Sequence, residues 1–268
     1  MIGRRQLLRV GAGLALGAGA AATGCSPGTG PNPDDSTGAR SQPSCVPRSA
    51  LDPHGDIAGL PLVYEISRRP TTFWFDGAFH DQLTERAKAL PASLGKPAGQ
   101  LRTYGSWISG SGRCTSWHNA GRAFDLAQIR TADGRLVSCR YDLWSAESGA
   151  ALERRLQAYW RVAASLHLRF AYVLTYLYDA RHHNHIHVDN GRSGAELSTF
   201  SSRSRVQVHA VQAIATYLWR REVPITGRWD RATRTATGAI LADLGLPGSL
   251  TDAGSWRGFL TDARTRGT

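Results

Sequence analysis

Lysine is nearly missing from this 268-residue chain: Lys88 and Lys96 are the only two, so almost all of its basic charge is arginine. Its four cysteines, Cys25, Cys45, Cys114 and Cys139, form no Cys-x-x-Cys pair, which excludes a structural zinc site built on thiolates. No long apolar run is present either. The longest, over residues 10–22, falls short of the roughly 20 residues that a bilayer-spanning helix needs. There is no clustered basic helix and no aromatic–basic repeat of the kind that marks an RNA-binding sheet, so no nucleic-acid partner is expected. What is present is a hydrophobic content of 41% and a formal charge of +11, the composition of a basic globular protein. Such a charge suits anionic polymers or membrane surfaces.

The first fifty residues read as delivery. Gly3-Arg4-Arg5-Gln6-Leu7-Leu8-Arg9, with the apolar stretch behind it, resembles a twin-arginine export signal. Ala22-Thr23-Gly24-Cys25 resembles a lipoprotein processing site. Residues 1–24 are thus expected to be a signal, with Cys25 lipidated and holding the chain to a membrane. Residues 25–49, rich in Pro, Gly, Ser and Thr, are expected to be a flexible tether. The chain is accordingly expected at the outer face of the cytoplasmic membrane or in the cell wall. Export permits a disulfide. Cys114 with Cys139 is the expected pair, because both lie in the core domain and would bracket the first histidine motif. Cys45 competes for either partner. Closing a loop of that size stabilises by roughly 3 to 4 kcal/mol in the chain-entropy model.

From residue 50 to about 195 the pattern is α+β. Apolar positions Phe79, Leu83, Ala87 and Leu90 have helical spacing, and Glu147 to His167 forms a strong amphipathic helix. Strands are expected over 100–108, 124–129, 136–139 and 184–188, with Asp133-Gly134 as a hairpin turn. An antiparallel-leaning sheet with helices on one side follows.

Two short stretches carry the chemistry. One is Ser116-Trp117-His118-Asn119-Ala120-Gly121-Arg122-Ala123-Phe124-Asp125; the other is His182-His183-Asn184-His185-Ile186-His187-Val188-Asp189. Four of the nine histidines fall within residues 182–187, a density that points to metal. Neutral imidazoles with a carboxylate are the ligand set of a catalytic zinc ion that keeps one position open. On a strand, His183, His185 and His187 would share a face opposite Ile186 and Val188. His54, His80, His167 and His209 read as surface or satisfied core residues.

Ser116-x-His118-x-x-Gly121-x-Ala123-x-Asp125 followed by His185-x-His187 resembles the zinc peptidase group. That group includes D-alanyl-D-alanine carboxypeptidases, lysostaphin-type endopeptidases and the Hedgehog signalling domain. Asp133-Gly134 and Asn184-His185-x-His187-x-Asp189 look most like the bacterial extensin-like C-terminal domain family. The resemblance covers roughly residues 50–192. It implies a Hedgehog- or DD-peptidase-like fold, with Zn2+ held by His118, Asp125 and His187. His185 would be the catalytic histidine, Ser116 would support the site from behind the ligands, and Asp189 would orient a ligand histidine. The glutamate that the carboxypeptidase branch places before its last ligand is absent; His185-Ile186 stands there. Arg102 and Arg113 are both candidates for the arginine that steadies a developing oxyanion.

After residue 203 the character changes to helices. Val211-Gln212-x-Ile214, Gly227-x-Trp229-x-x-x-Thr233-x-x-Ala236, Gly245-Leu246 and Trp256 are similar to the three-helix peptidoglycan-binding domain, expected over 203–268. Asp230 stands where that family usually has glycine. Together these readings imply an exported zinc-dependent peptidase acting on peptidoglycan peptides, or a non-catalytic wall-binding module that keeps the same fold.

Overall fold

The chain is described from a computed structural model, which covers residues 43–110, 112 and 114–268. The expected signal, Cys25, most of the tether, and Arg113 lie outside the described residues.

Strands and helices alternate without strict order. Strands β1 (Asp52–His54) and β4 (Phe73–Phe75) form a small antiparallel pair. The main sheet runs β2 (Asp56–Ile57), β3 (Leu60–Tyr64), β5 (Ala98–Gly105), β6 (Ala123–Thr131), β9 (Ile186–Asp189), β8 (Tyr172–Leu174). Every neighbour is antiparallel except the β3–β5 pair. One edge of β6 faces β5; the other is shared by β9 over residues 123–126 and β7 (Leu136–Ser138) over 128–130. The sheet is α+β in character, as the alternation of the sequence implies, with one parallel contact added.

A bulge in β6 decides which residues see the core. Arg102 pairs with Gln128 and Thr103 with Leu126, so Ala127 is skipped. Alternation therefore changes phase, and Phe124, Leu126 and Ile129 all enter the hydrophobic core. Asp125 and Gln128 are left on the opposite face, where both are bonded to polar partners.

Helix α1 (Gly77–Lys88) starts where the Asp76 carboxylate accepts from the Phe79 N–H, and α2 (Leu90–Leu94) follows. Beyond the one-turn helix α3 (Tyr141–Trp144), the long α4 (Gly149–His167) buries Leu156, Tyr159, Trp160, Ala163 and Leu166. It packs on α2, β7 and β8, and also on α5 (Arg205–Tyr217) and α7 (Ala253–Thr265). The last two helices and α6 (Arg231–Asp243) form a third layer that shares one continuous core with the sheet. The expected boundary between residues 195 and 203 is not a gap in packing: Trp256 on α7 donates to Ser198, and Ser198 donates to the His167 carbonyl of α4. Among the described residues no helix is long and apolar enough to cross a membrane.

The expected Cys114–Cys139 disulfide does not form; Cys114 pairs with Cys45. Val46 donates its N–H to the Asn119 carbonyl (3.0 Å), and Trp107 Nε1 donates to the Val46 carbonyl (2.9 Å). These bonds lay the end of the tether across the His118 turn and bring the Cα atoms of Cys45 and Cys114 within 5.3 Å. Cys139 is fully buried and free, and burial alone pushes its thiol pKa up.

Candidate metal centre

His118 sits on a single 3₁₀ turn, Trp117–Ala120, between β5 and β6. Ser116 caps that turn: its Oγ accepts from the His118 N–H (3.3 Å), and the Asn119 side chain accepts from the Ser116 N–H (3.2 Å). Ser116 thus supports the site through the backbone of the turn. Gly121 ends the turn at φ 67°, and a Cβ there would meet the Asp76 amide and a Leu51 methyl at 2.9 Å. Asp125 lies four residues on, in β6, directly opposite His187 of β9.

The three side chains converge. His187 Nδ1 lies 2.9 Å from Asp125 Oδ1, His118 Nε2 lies 3.2 Å from the same oxygen, and the two ring nitrogens are 3.2 Å apart. All three residues are buried, and their donor atoms can share one ion. Ligand atoms about 2.0–2.1 Å from a tetrahedral ion stand roughly 3.3 Å apart, close to these separations.

Partners behind each ring engage the outer nitrogen and turn the inner one toward Asp125. His118 donates from Nδ1 to the Ser106 carbonyl, and His187 from Nε2 to Asp189 Oδ2 (3.2 Å). His185 donates from Nδ1 to Asn184 Oδ1 (2.6 Å), which turns its Nε2 toward Asp125 Oδ1 at 3.3 Å. The outer acceptors set the tautomer, as they do around metal-bound histidines. His185 reaches the carboxylate but stands outside the group of three.

Charge at the site follows from the same contacts. Burial would raise the Asp125 carboxyl, but the imidazoles of His118 and His185 hold it well below the usual carboxylate range. Burial also opposes charge on His187, yet its bonds to Asp125 and Asp189 push it up to about 10. The residues fit a divalent cation: one carboxylate, two oriented imidazoles, and a proton on His187 that the ion would displace.

The other expectations sort as follows. The alternation that would align His183 with His185 and His187 does not hold, because β9 begins only at Ile186. His182 instead lies beside the cluster, with ring centroids 5.2 Å from His185 and 5.9 Å from His187; His183 packs edge-on against Tyr141. Burial and the charges of His187 and His185 bring His182 down to about 4, against the pull of Asp179. Arg102 is on β5, where the charged groups that act on it are Arg68, Glu65 and Arg130. Trp117 packs under the Arg122 guanidinium and against Gly191, and Tyr141 stacks on Tyr176.

Sequence reasoning missed Ser106, which contributes only a carbonyl and so has no side-chain signature. It also missed Glu65, Tyr104 and Arg140. Tyr104 packs its ring edge-on to His185 (5.9 Å), and Arg140 lies 6.0 Å over the Tyr104 ring. Glu65, almost fully buried, binds Arg140 (3.1 Å), Arg68 (3.1 Å) and Gln128 (2.8 Å) through one oxygen.

Residues 88–199, which include both histidine motifs, match the family described as extensin-like protein C-terminus. No curated protein and no solved structure matches the chain.

Proposed function

We propose that this chain is an exported, zinc-dependent peptidase that hydrolyses amide bonds in peptidoglycan stem peptides or cross-links. The observation that carries the reading is the convergence of His118 Nε2, His187 Nδ1 and Asp125 Oδ1, each ring fixed by an acceptor behind it. The extensin-like match over both motifs is consistent with that reading. Zinc bound there would supply a Lewis acid and lower the pKa of a coordinated water toward roughly 7. His185, with its Nε2 turned inward and its Nδ1 tied to Asn184, is placed to take a proton from that water or to face a developing oxyanion. Asp189 keeps His187 oriented, and Ser116 keeps the His118 turn closed.

Peptidoglycan as substrate rests on the export-like N-terminus, the basic charge and the resemblance of α5–α7 to a peptidoglycan-binding domain. Attachment to the membrane through a lipid on Cys25 belongs to the same proposal. The second reading, a wall-binding module that retains the fold, draws on the absence of a glutamate beside His187, where His185-Ile186 stands. Purified cell wall incubated with the zinc-loaded protein separates the two. Release of new amino groups, abolished by chelator and by His185→Ala with zinc still bound, supports the peptidase. Full zinc occupancy without release would leave the binding module.

A further inference from the structure

The metal-bearing face of the sheet holds a second group of charges beyond Tyr104. Arg102 on β5 and Arg130 on β6 are diagonal neighbours, since Arg102 pairs with Gln128 and Gln100 pairs with Arg130. Neither guanidinium has a hydrogen bond or ion pair with any described residue. The Nε of Arg102 is sealed from solvent with no acceptor. Burial pulls Arg102 below the ordinary arginine range; Arg68 and Arg130 add to the fall, and Glu65 opposes it. Glu65 is the one carboxylate acting there, and its Oε1 is already shared among Arg68, Arg140 and Gln128. Arg68 reaches this face from a left-handed backbone, φ 59°, a conformation that costs a non-glycine residue free energy.

Like charges beside one another without a counter-ion oppose folding, and a guanidinium fork matches a carboxylate. Arg140 lies over the Tyr104 ring, and that ring in turn meets His185, so the arginines and the metal centre lie along one continuous face. Exposed Ile66 and Leu143 come one residue after Glu65 and Asp142, both bound to Arg140.

We propose that Arg102 and Arg130, with Arg68 beside them, form a subsite for a side-chain carboxylate of the peptide substrate, on the far side of Tyr104 from the metal. The inference rests on the peptidase reading and deepens it: the preferred substrate is an acidic peptide whose carboxylate lies away from the bond that is cut.

The test uses the zinc-loaded full chain and two end-capped tetrapeptides, Ala-Glu-Ala-Ala and Ala-Gln-Ala-Ala, which differ only in that carboxylate. Calorimetry at low salt is expected to show the glutamate peptide binding about tenfold more tightly, because a charge-assisted bidentate contact is worth on the order of 1.4 kcal/mol or more. Arg102→Gln should erase the difference without changing zinc content. Arg130→Gln, at an exposed position that tolerates change, should reduce it. Equal affinity for both peptides, or no binding of the glutamate peptide at millimolar concentration, overturns the subsite. So does an Arg102→Gln effect of the same size on both peptides. Discrimination without hydrolysis of any wall peptide would defeat the peptidase and leave the subsite standing; hydrolysis without discrimination would do the reverse.

Discussion

Each of the three histidines around Asp125 commits one ring nitrogen to a protein acceptor, which aims the other inward. For His187 that balance has a measurable consequence. Its pKa of about 10 in the metal-free form means that zinc entering at pH 7 must displace a proton. Calorimetry in buffers of different ionisation enthalpy should therefore record release of about one proton per ion at pH 7. Asp189→Asn, which weakens the acceptor behind His187, should lower zinc affinity roughly ten- to a hundredfold in a chelator competition. His167 behaves in the opposite sense. It is fully buried in α4 against Trp256, neither ring nitrogen makes a hydrogen bond of full geometry, and burial brings it down to about 3 from 6.5 against a weak opposing contact with the Phe170 backbone. The surface or satisfied core position expected for His167 is not what the fold gives it: the ring is buried without a full hydrogen bond. The folded state keeps it neutral while the unfolded chain binds a proton below pH 6.5. Its contribution is thus complete above that pH and declines as pH falls toward 3, by up to ~1.4 kcal/mol per pH unit. Urea unfolding at pH 7 and pH 5 should show this slope, and His167→Leu should flatten it.

At the level of elements, the turn that carries His118 depends on chain segments far from it in sequence. The Cys45–Cys114 bridge and the Val46 bonds fasten the end of the tether to that turn. Across a 69-residue separation, such a bridge stabilises by about 4 kcal/mol in the chain-entropy model. Cys45→Ser should therefore lower the midpoint of thermal unfolding by several degrees, and Cys139→Ser should leave the bridge in place. Mass spectrometry of the non-reduced protein checks both, since Cys139 alone of the three should react with a thiol reagent after unfolding. The pairing was not legible in the sequence because all three pairings of Cys45, Cys114 and Cys139 close loops of acceptable length, and only the path of residues 45–46 brings one pair together.

For the whole molecule, the decisive feature is that α4 has two packed sides. The sheet layer lies on one and α5 and α7 lie on the other, with Arg161 of α4 donating to the Arg266 and Gly267 carbonyls at the far end of the chain. Cutting the chain after residue 199 would strip Trp256 from His167 and open to water the side of α4 that packs on α5 and α7. Circular dichroism on such a shortened chain should show loss of cooperative unfolding, whereas two independent domains would keep it.

What the sequence determined by itself was local. Helical spacing marked α1 and α4, Asp133-Gly134 marked the β6–β7 turn, and the two motifs named His118, Asp125, His185 and His187, because these signals depend only on neighbours along the chain. What only the tertiary structure decided was which distant atoms meet. The bulge at Ala127 turns Asp125 and Gln128 away from the core, and the β6–β9 register sets Asp125 opposite His187. The Ser106 carbonyl orients His118, and Glu65, paired locally with Arg68, also holds Arg140 from 75 residues further along the chain. Such meetings depend on strand register and loop path, set by burial across the whole core, and no window of sequence contains both partners.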